Sequence, residues 1–408
     1  MTAAAAAPAP NSVPTGKALL AAPQMVKAPP AAMLVRVARA YGVSPIRQMR
    51  EAFLLSRGKS RLFLNEYFSS GLYHPDLSWQ AKKQYVGSRS SWDLNAWLSP
   101  SSLNGQKTFV ADKVMYTSLL EQLGFRTTKT QAVFSTLRRA GNIPTLSTAK
   151  DLRKFLTEDA VFPLFGKPQS YSGSFGSALL DHMNGSEIVL GDGRGIDLDD
   201  FCAEIVREYG EGYLFQSALE QHETLSKVAG NAIGTLRIVT IRDEQMPRPM
   251  YALWKVPSPK AMSDNFWQDG SMIAPVDEQT GIVGQCRIGT GPDARDIEEH
   301  PVSGEKFKGL QIPHWDEACK MAAEAHALFP EFGVIGWDVA MTPDGPSLIE
   351  CNDNPFHSLY QLAFQRGIKN DDFMPVFEAA AKRSRDMLDY RNNLVKKRQK
   401  QQKTGKPA

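Results

Sequence analysis

The chain has 408 residues, 42% of them hydrophobic and 22% charged, an ordinary globular balance with length for two or three packed domains. No apolar run reaches the ~18 residues of a membrane span, and Cys202, Cys286, Cys319 and Cys351 form no CxxC pair, so a zinc site or disulfide framework is not expected and a reducing cytoplasm is. The formal charge of +3 belongs to the end of the chain: Lys396, Lys397, Arg398, Lys400, Lys403 and Lys406 come without an acid, and the remainder carries 41 basic against 44 acidic residues. Such a run is ordinarily a solvated helix end or a disordered tail, with weak attraction to an anionic membrane or nucleic acid as the functional alternative; nucleic acid is not expected as a partner of the body.

Residues 1–32 are rich in Ala and Pro and lack the basic n-region and compact apolar core of a signal peptide, so they read as a disordered tail. Residues 33–110 read as a helical N-terminal region: Ser44-Pro45 is a helix start, and Ile46, Met49 and Phe53 keep one face apolar. A further helix spans 111–124, and 161–165 is a short apolar run like a buried strand. Asp197 caps an amphipathic helix whose stripe is Leu198, Phe201, Cys202, Ile205, Val206 and Tyr209. The glycine-rich segment 191–195 before it reads as a turn. Strands are expected at 213–216, 236–241 and 250–256, a helix at 316–329 feeding a strand at 333–342, and a last helix from about 371 into a basic tail at 391–408. Strands and helices in this order make an α+β protein, without an internal repeat.

Residues 336–355, GWDVAMTPDGPSLIECNDNP, carry the most information. They read as two strands joined by a Pro-Asp-Gly turn. With the turn centred near Asp344, Asp338 faces Glu350, and strand alternation adds Asn352 to the same face. Trp337, Val339, Met341 and Ile349 fall on the other, apolar face. Two facing carboxylates repel each other in a ladder; with a carboxamide beside them they are hard oxygen donors suited to Mg²⁺, a solvated strand face being the plain alternative.

Upstream, Lys167 ends a strand and is followed by the hydroxyl-rich segment 169–177, QSYSGSFGS. A lysine at a strand end supplies a point charge for a phosphate, and a Gly/Ser loop offers backbone N–H groups to its oxygens. The segment is not a Walker A loop, because GxxxxGK[ST] is absent from the chain.

In this order the elements resemble the ATP-grasp superfamily: Ala111-Asp112-Lys113, Lys167-Pro168 with its loop, Gln216 to Leu219, then Asp338, Glu350 and Asn352. More narrowly, GLYHP near Tyr73, QSALEQH near His222, GTLRIVTI at Arg237, DNF at Asn265 and the 336–355 hairpin resemble the sugar-transfer-associated ATP-grasp family. The resemblance implies an ATP-grasp fold with a nucleotide-binding subdomain at 111–225 and a C-terminal subdomain at 226–390. It implies Lys113 and Lys167 on the nucleotide phosphates, Ser172, Gly173, Ser174 and Gly176 closing over them, Gln216 and Leu219 at the adenine edge, Glu223 or Glu220 on the ribose, and Asp338, Glu350 and Asn352 on Mg²⁺. Arg237 would neutralise a transferred phosphoryl or acyl-phosphate oxygen, or be a surface strand arginine. Many relatives place an arginine two residues before the first metal aspartate, where this chain has Gly336; Arg237 or Lys255 would then supply the charge. The implied activity is a cytoplasmic, Mg·ATP-dependent carboxylate–amine ligase working through an acyl-phosphate beside glycan-biosynthesis proteins, on an unidentified small-molecule or glycan-precursor substrate. A kinase, with His222 or His357 as candidate base, and a non-catalytic nucleotide-binding partner are the alternatives.

Overall fold

Helix starts in the N-terminal region follow its punctuation. The computed structural model describes residues 29–404 except 104, 106, 170–175 and 260. Helices α1 (Pro30–Tyr41), α2 (Pro45–Arg57), α3 (Leu64–Ser69), α4 (Trp79–Lys83), α5 (Ser88–Leu98), α6 (Lys107–Ala111) and α7 (Lys113–Gln122) come first. Ser44 caps α2 by accepting from the Arg47 amide, with Pro45 in the first turn. Asp112 caps α7 in the same way, accepting from the Val114 and Met115 amides. The apolar residues expected to bury one face of α2 do not: Gln48, Ala52 and Leu55 are its buried side chains, and Ile46, Met49 and Phe53 are exposed. The core of this region is instead built on Val37, Leu55, Tyr67, Leu72, Tyr73 and Tyr85.

Residues 130–217 form one compact unit. It holds β1 (Thr130–Phe134), β2 (Thr145–Leu146), α8 (Ala149–Lys154), β3 (Leu164–Pro168), β4 (Ala178–Asn184), β5 (Glu187–Leu190), β6 (Gly195–Asp197), α9 (Leu198–Glu208) and β7 (Tyr213–Ser217). The strands make one sheet in the order β2-β1-β7-β3-β4-β5-β6, antiparallel except for the β1–β2 pair. Asp197 caps α9 as expected, and Leu198, Phe201, Cys202 and Ile205 bury its stripe.

The described part of the second unit comprises residues 29–129 and 218–404. After α10 (Glu223–Ala229) come β8 (Leu236–Ile241), β9 (Arg248–Val256), β10 (Met272–Val276), β11 (Cys286–Ile288), β12 (Arg295–Ile297), α11 (Trp315–Ala327), β13 (Val334–Thr342), β14 (Gly345–Asn352), α12 (Ser358–Phe364) and α13 (Phe373–Thr404). The sheet is antiparallel in the order β12-β11-β10-β9-β8-β13-β14. One face buries Ile238, Trp254, Ala274, Ile335 and Trp337 with α11 residues Ala318, Ala322 and Ala325. The other buries Val239, Leu253 and Ile273 with Leu94 and Leu98 of α5, Leu359 and Leu362 of α12, and Phe377 of α13. Beyond Pro375 no Gly or Pro interrupts α13 before its end, so a run of Lys, Arg and Gln, all good helix formers, continues it to Thr404.

Two fully buried histidines tie elements of this unit together. His326 of α11 donates from Nε2 to the Phe332 carbonyl (2.9 Å) and meets the Thr240 hydroxyl of β8 through Nδ1 (2.8 Å). His357 meets the Tyr251 hydroxyl of β9 through Nδ1 (3.0 Å) and Asn95 Oδ1 of α5 through Nε2 (2.8 Å). Burial drives both pKa values from the ordinary 6.5 down to about 3. Unfolding exposes rings that bind a proton below pH 6.5, whereas the folded rings stay neutral to about pH 3. The stability they confer is complete above pH 6.5 and is lost as pH falls toward 3, with a slope of roughly 2.7 kcal/mol per pH unit for the two groups. Urea unfolding at pH 6, 5 and 4 should show this decline, and His326→Gln and His357→Gln should each remove about half of the slope. A stability that does not change over that range would refute the assignment.

Candidate functional site

The hairpin of β13 and β14 turns through Pro343 and Asp344, with Thr342 paired to Gly345, and the register holds as far as Val339 opposite Leu348. Ile349 is then passed over: Asp338 pairs with Glu350, Trp337 with Cys351 and Gly336 with Asn352. This β-bulge puts one extra residue into β14 and reverses the facing of everything after it. Without it Ile349 would face Asp338 and Glu350 would join Trp337 on the core side. Trp337, Val339 and Met341 do bury in the core as the alternation predicts, but their partners there are Leu348 and Cys351. Ile349, expected on the apolar face, is the bulged residue, and its carbonyl accepts from the buried Tyr116 hydroxyl at 2.6 Å.

The polar face extends across the sheet. Arg237 of β8 lies directly opposite Asp338 and bonds both carboxylate oxygens, Nε to Oδ1 at 2.5 Å and a terminal nitrogen to Oδ2 at 3.2 Å. Lys255 of β9 reaches Asp338 Oδ2 at 3.1 Å and Asp264 Oδ2 at 3.0 Å. Asp264 also accepts from the Thr235 amide and hydroxyl. On β14, Glu350 Oε1 lies 3.6 Å from Lys113 Nζ at the start of α7. The cluster thus has three cations and three carboxylates. Arg237, Lys255 and Asp338 are each more than nine-tenths buried, which rules out the surface-arginine reading of Arg237.

Burial alone would raise the Asp338 pKa, but Arg237 and Lys255 outweigh it and hold the carboxyl below the usual carboxylate range. Burial alone would lower Lys255, and Asp264 and Asp338 together hold it above the ordinary lysine value. The Gly336 position is filled from the next strand: a Cβ there would lie 3.3 Å from Arg237 Cδ and 3.0 Å from Pro355 Cβ. The Arg237 side chain thus runs from β8 across the space beside Gly336.

Asn352 sits two residues beyond Glu350 on the same face, and its Nδ2 is buried without a hydrogen-bond partner. The segment after it is held by Asn95 of α5, whose Nδ2 donates to Asn354 Oδ1 (2.5 Å) and to the Pro355 carbonyl (3.0 Å). Asn95 is in turn bonded to His357. The sequence reading missed Asn95, Tyr251 and Asp264; only Asp264 left a signal, as the first residue of the quoted DNF motif. Among the described residues no three His, Cys, Asp or Glu side chains converge as a ligand group, so a metal ion held here would rely on the Asn352 carboxamide and on ligands from outside the protein. Leu219 lies half-buried after β7, and Glu220 and Glu223 are both exposed, the latter in the first turn of α10. His222 caps that helix, its Nδ1 accepting from the Thr224 amide.

In the first unit Lys167 is buried near the end of β3. Gln216 of β7 pairs with Phe165 of β3. Its Nε2 donates to Thr130 Oγ1 (3.1 Å), and its Oε1 is buried without a hydrogen-bond partner. Gly176 has φ +71°, and a side chain there would collide with the Tyr209 hydroxyl; the Tyr213 hydroxyl donates to its carbonyl at 2.9 Å. Ser172, Gly173 and Ser174 lie outside the described residues.

A family model described as sugar-transfer associated ATP-grasp matches residues 101–373, more than half of the chain. The chain belongs to this family. The ATP-grasp chain is similar in structure to an L-amino acid ligase from Bacillus licheniformis (13% identical, 60% of this chain and 41% of that one, TM-score 0.33). It is also similar to D-alanine-D-alanine ligases from Coxiella burnetii (11%, 71% and 62%, 0.39) and Helicobacter pylori (14%, 67% and 61%, 0.38). In each case it spans less than two thirds of the other chain. No curated protein matches it in sequence.

The ATP-grasp cluster divides into a buried half and an accessible half, and the two differ in what substitution does. Asp338→Asn leaves Arg237 and Lys255 buried with too little negative charge, so it should cost roughly 3–5 kcal/mol of stability. Glu350 has a side chain 33% exposed, and Glu350→Gln should cost no more than about 1 kcal/mol. Urea denaturation of the two variants measures the difference; equal stabilities would show that Asp338 does not hold the cluster together.

Proposed function

We propose that the protein is a Mg·ATP-dependent carboxylate–amine ligase acting in polysaccharide or cell-surface glycan biosynthesis. The observation that carries this reading is the polar face of the β8–β9–β13–β14 sheet, where Arg237, Lys255 and Lys113 stand among Asp338, Asp264 and Glu350 in a chain of the ATP-grasp family. In this reading ATP phosphorylates a substrate carboxylate, and an amine then displaces phosphate from the acyl-phosphate to leave an amide. Lys113 and Lys167 hold nucleotide phosphates, with Ser172, Gly173, Ser174 and Gly176 as the loop over them. Gln216 and Leu219 meet the adenine, and Glu223 or Glu220 the ribose. The partnerless Gln216 Oε1 suits an amine donor such as the adenine exocyclic group. Arg237, fixed by Asp338, presents a charge that needs no reorganisation when a phosphoryl or acyl-phosphate oxygen becomes negative.

Asp338, Glu350 and Asn352 would hold Mg²⁺, and their chemistry suits it: two carboxylates and a carboxamide are hard oxygen donors, and Asp338 Oδ1, which accepts only from Arg237 Nε, keeps a lone pair. Bound there, the ion would supply charge neutralisation at phosphate oxygens. The kinase alternative needs a base for a hydroxyl. His357 has both ring nitrogens bonded and His222 Nδ1 is committed to a helix cap, which favours the ligase. Among the described residues no helix is long and apolar enough to cross a membrane, and Cys202, Cys286, Cys319 and Cys351 are free thiols, which supports a cytoplasmic setting.

Incubation with Mg·ATP and a panel of acidic sugars, amino sugars and amino acids tests the reaction. ADP with inorganic phosphate is expected, ADP with a phosphorylated product would select a kinase, and AMP with pyrophosphate would overturn the mechanism. Glu350→Gln should depress turnover and Mg·ATP binding at an unchanged melting temperature. Lys167→Met should weaken ATP by roughly ten- to a hundredfold while leaving adenosine binding unaltered. Calorimetric titration reads both, and wild-type behaviour in the two variants would remove the nucleotide site from these residues.

A further inference from the structure

Helix α2 is amphipathic in the reverse sense. At about 100° per residue, Gln48, Ala52 and Leu55 lie on the inward face, where they are buried. The opposite face presents Ile46, 83% exposed, with Met49, Phe53 and Leu54, each at least 45% exposed. Arg50 and Arg57 lie within the same arc and are exposed. Phe63 and Trp92 of the same helical region are exposed as well. The rings of Phe53, Phe63 and Trp92 each carry a cation over the face: Arg57 over Phe53 at 4.9 Å, Arg89 over Phe63 at 4.8 Å and Lys107, itself paired with Asp353, over Trp92 at 5.1 Å.

Three acids of this region are engaged in local contacts. Glu51, the only acid of α2, is drawn in by Lys82, Arg47 and the Tyr67 hydroxyl. Glu66 caps α3 and α5 through the Phe63 and Ser88 amides. Asp93 is paired with Arg61. Arg50, Arg57, Lys59 and Arg89 are left at the surface around apolar side chains.

We propose that this face seats the protein on an anionic lipid surface. Ile46, Met49, Phe53 and Leu54 would enter the boundary between headgroups and acyl chains, the aromatic rings would lie at the interface, and the arginines would meet lipid phosphates. Charge selects this occupant over two others. A second copy docking through a two-fold would set cation against cation. Residues 1–28 contain Lys17 and Lys27 and no acid, so they offer nothing to pair with the arginines. The inference is independent of the nucleotide chemistry.

Sedimentation of the full chain with vesicles tests it, using phosphatidylcholine alone and phosphatidylcholine with about 30% phosphatidylglycerol. The protein should pellet with the anionic vesicles and be released by raised salt. Ile46→Glu combined with Phe53→Glu should lower the partition at least about tenfold at an unchanged melting temperature. Arg50→Glu combined with Arg57→Glu should abolish the preference for the anionic vesicles. The proposal is overturned if neither vesicle is bound, or if the Ile46/Phe53 variant binds as wild type does. A wild-type dimer that the variant turns into a monomer would overturn it in favour of a second copy. A lowered melting temperature in that variant would overturn it in favour of a covering segment of the chain itself.

Discussion

A carboxylate removed from water must be compensated where it stands, and at Asp338 that requirement organises the middle of the second sheet. The idealised cost of burying one such charge is of order 20 kcal/mol before relaxation, so the cations have to arrive from fixed positions. Arg237 comes from the strand directly opposite and Lys255 from the next one, so that β8, β9 and β13 meet at one carboxyl group. Lys255 is shared with Asp264, which is anchored to Thr235 at the entrance to β8. The arrangement is electrically balanced inside, with Arg237 and Lys255 against Asp338 and Asp264. Glu350 and Lys113, at its edge, have a longer separation and more solvent. Buried charge lies at the back of the face, and more exposed charge lies at its edge.

The helical N-terminal region is coupled to this face through hydrogen bonds. Asn95 fixes the segment after β14, and His357 and Tyr251 fix Asn95. Gln361 of α12 accepts from the Val86 amide and donates to the Val86 carbonyl just before α5. These side chains sit in a dry interior, where each neutral donor needs a specific acceptor. The helices ahead of the family match are therefore part of what positions the segment after the hairpin.

Much of this was legible in the sequence because it rests on local rules. Helix caps at Ser44 and Asp197 state where chains turn into helices. Period-two alternation placed Trp337, Val339 and Met341 in the core opposite Asp338. What escaped has a common cause, in that it depends on where distant segments lie. The stripe of Ile46, Met49 and Phe53 has helical spacing whichever way α2 faces, and only the packing of Gln48, Ala52 and Leu55 against the rest shows that it points outward. Asp264 and Asn95 are single polar residues without a spacing rule. At Gly336 the sequence left Arg237 and Lys255 both open, because nothing along one strand says which neighbouring side chain reaches it; a Cβ there would meet Arg237 Cδ at 3.3 Å.

The irregularity at Ile349 means that the identity of the facing residue on β14 is a matter of counting parity. Glu350 lies opposite Asp338 because two odd events cancel: a turn half a residue shorter than the polar pairing needs, and one residue passed over in the ladder. The polar face is thus encoded partly by a defect, which carries no side-chain signature of its own. Insertions and deletions between Thr342 and Glu350 would preserve the chemistry only in compensating combinations. Sequence comparison across this hairpin should therefore be anchored on Asp338 and Glu350 separately, rather than on the length of chain between them.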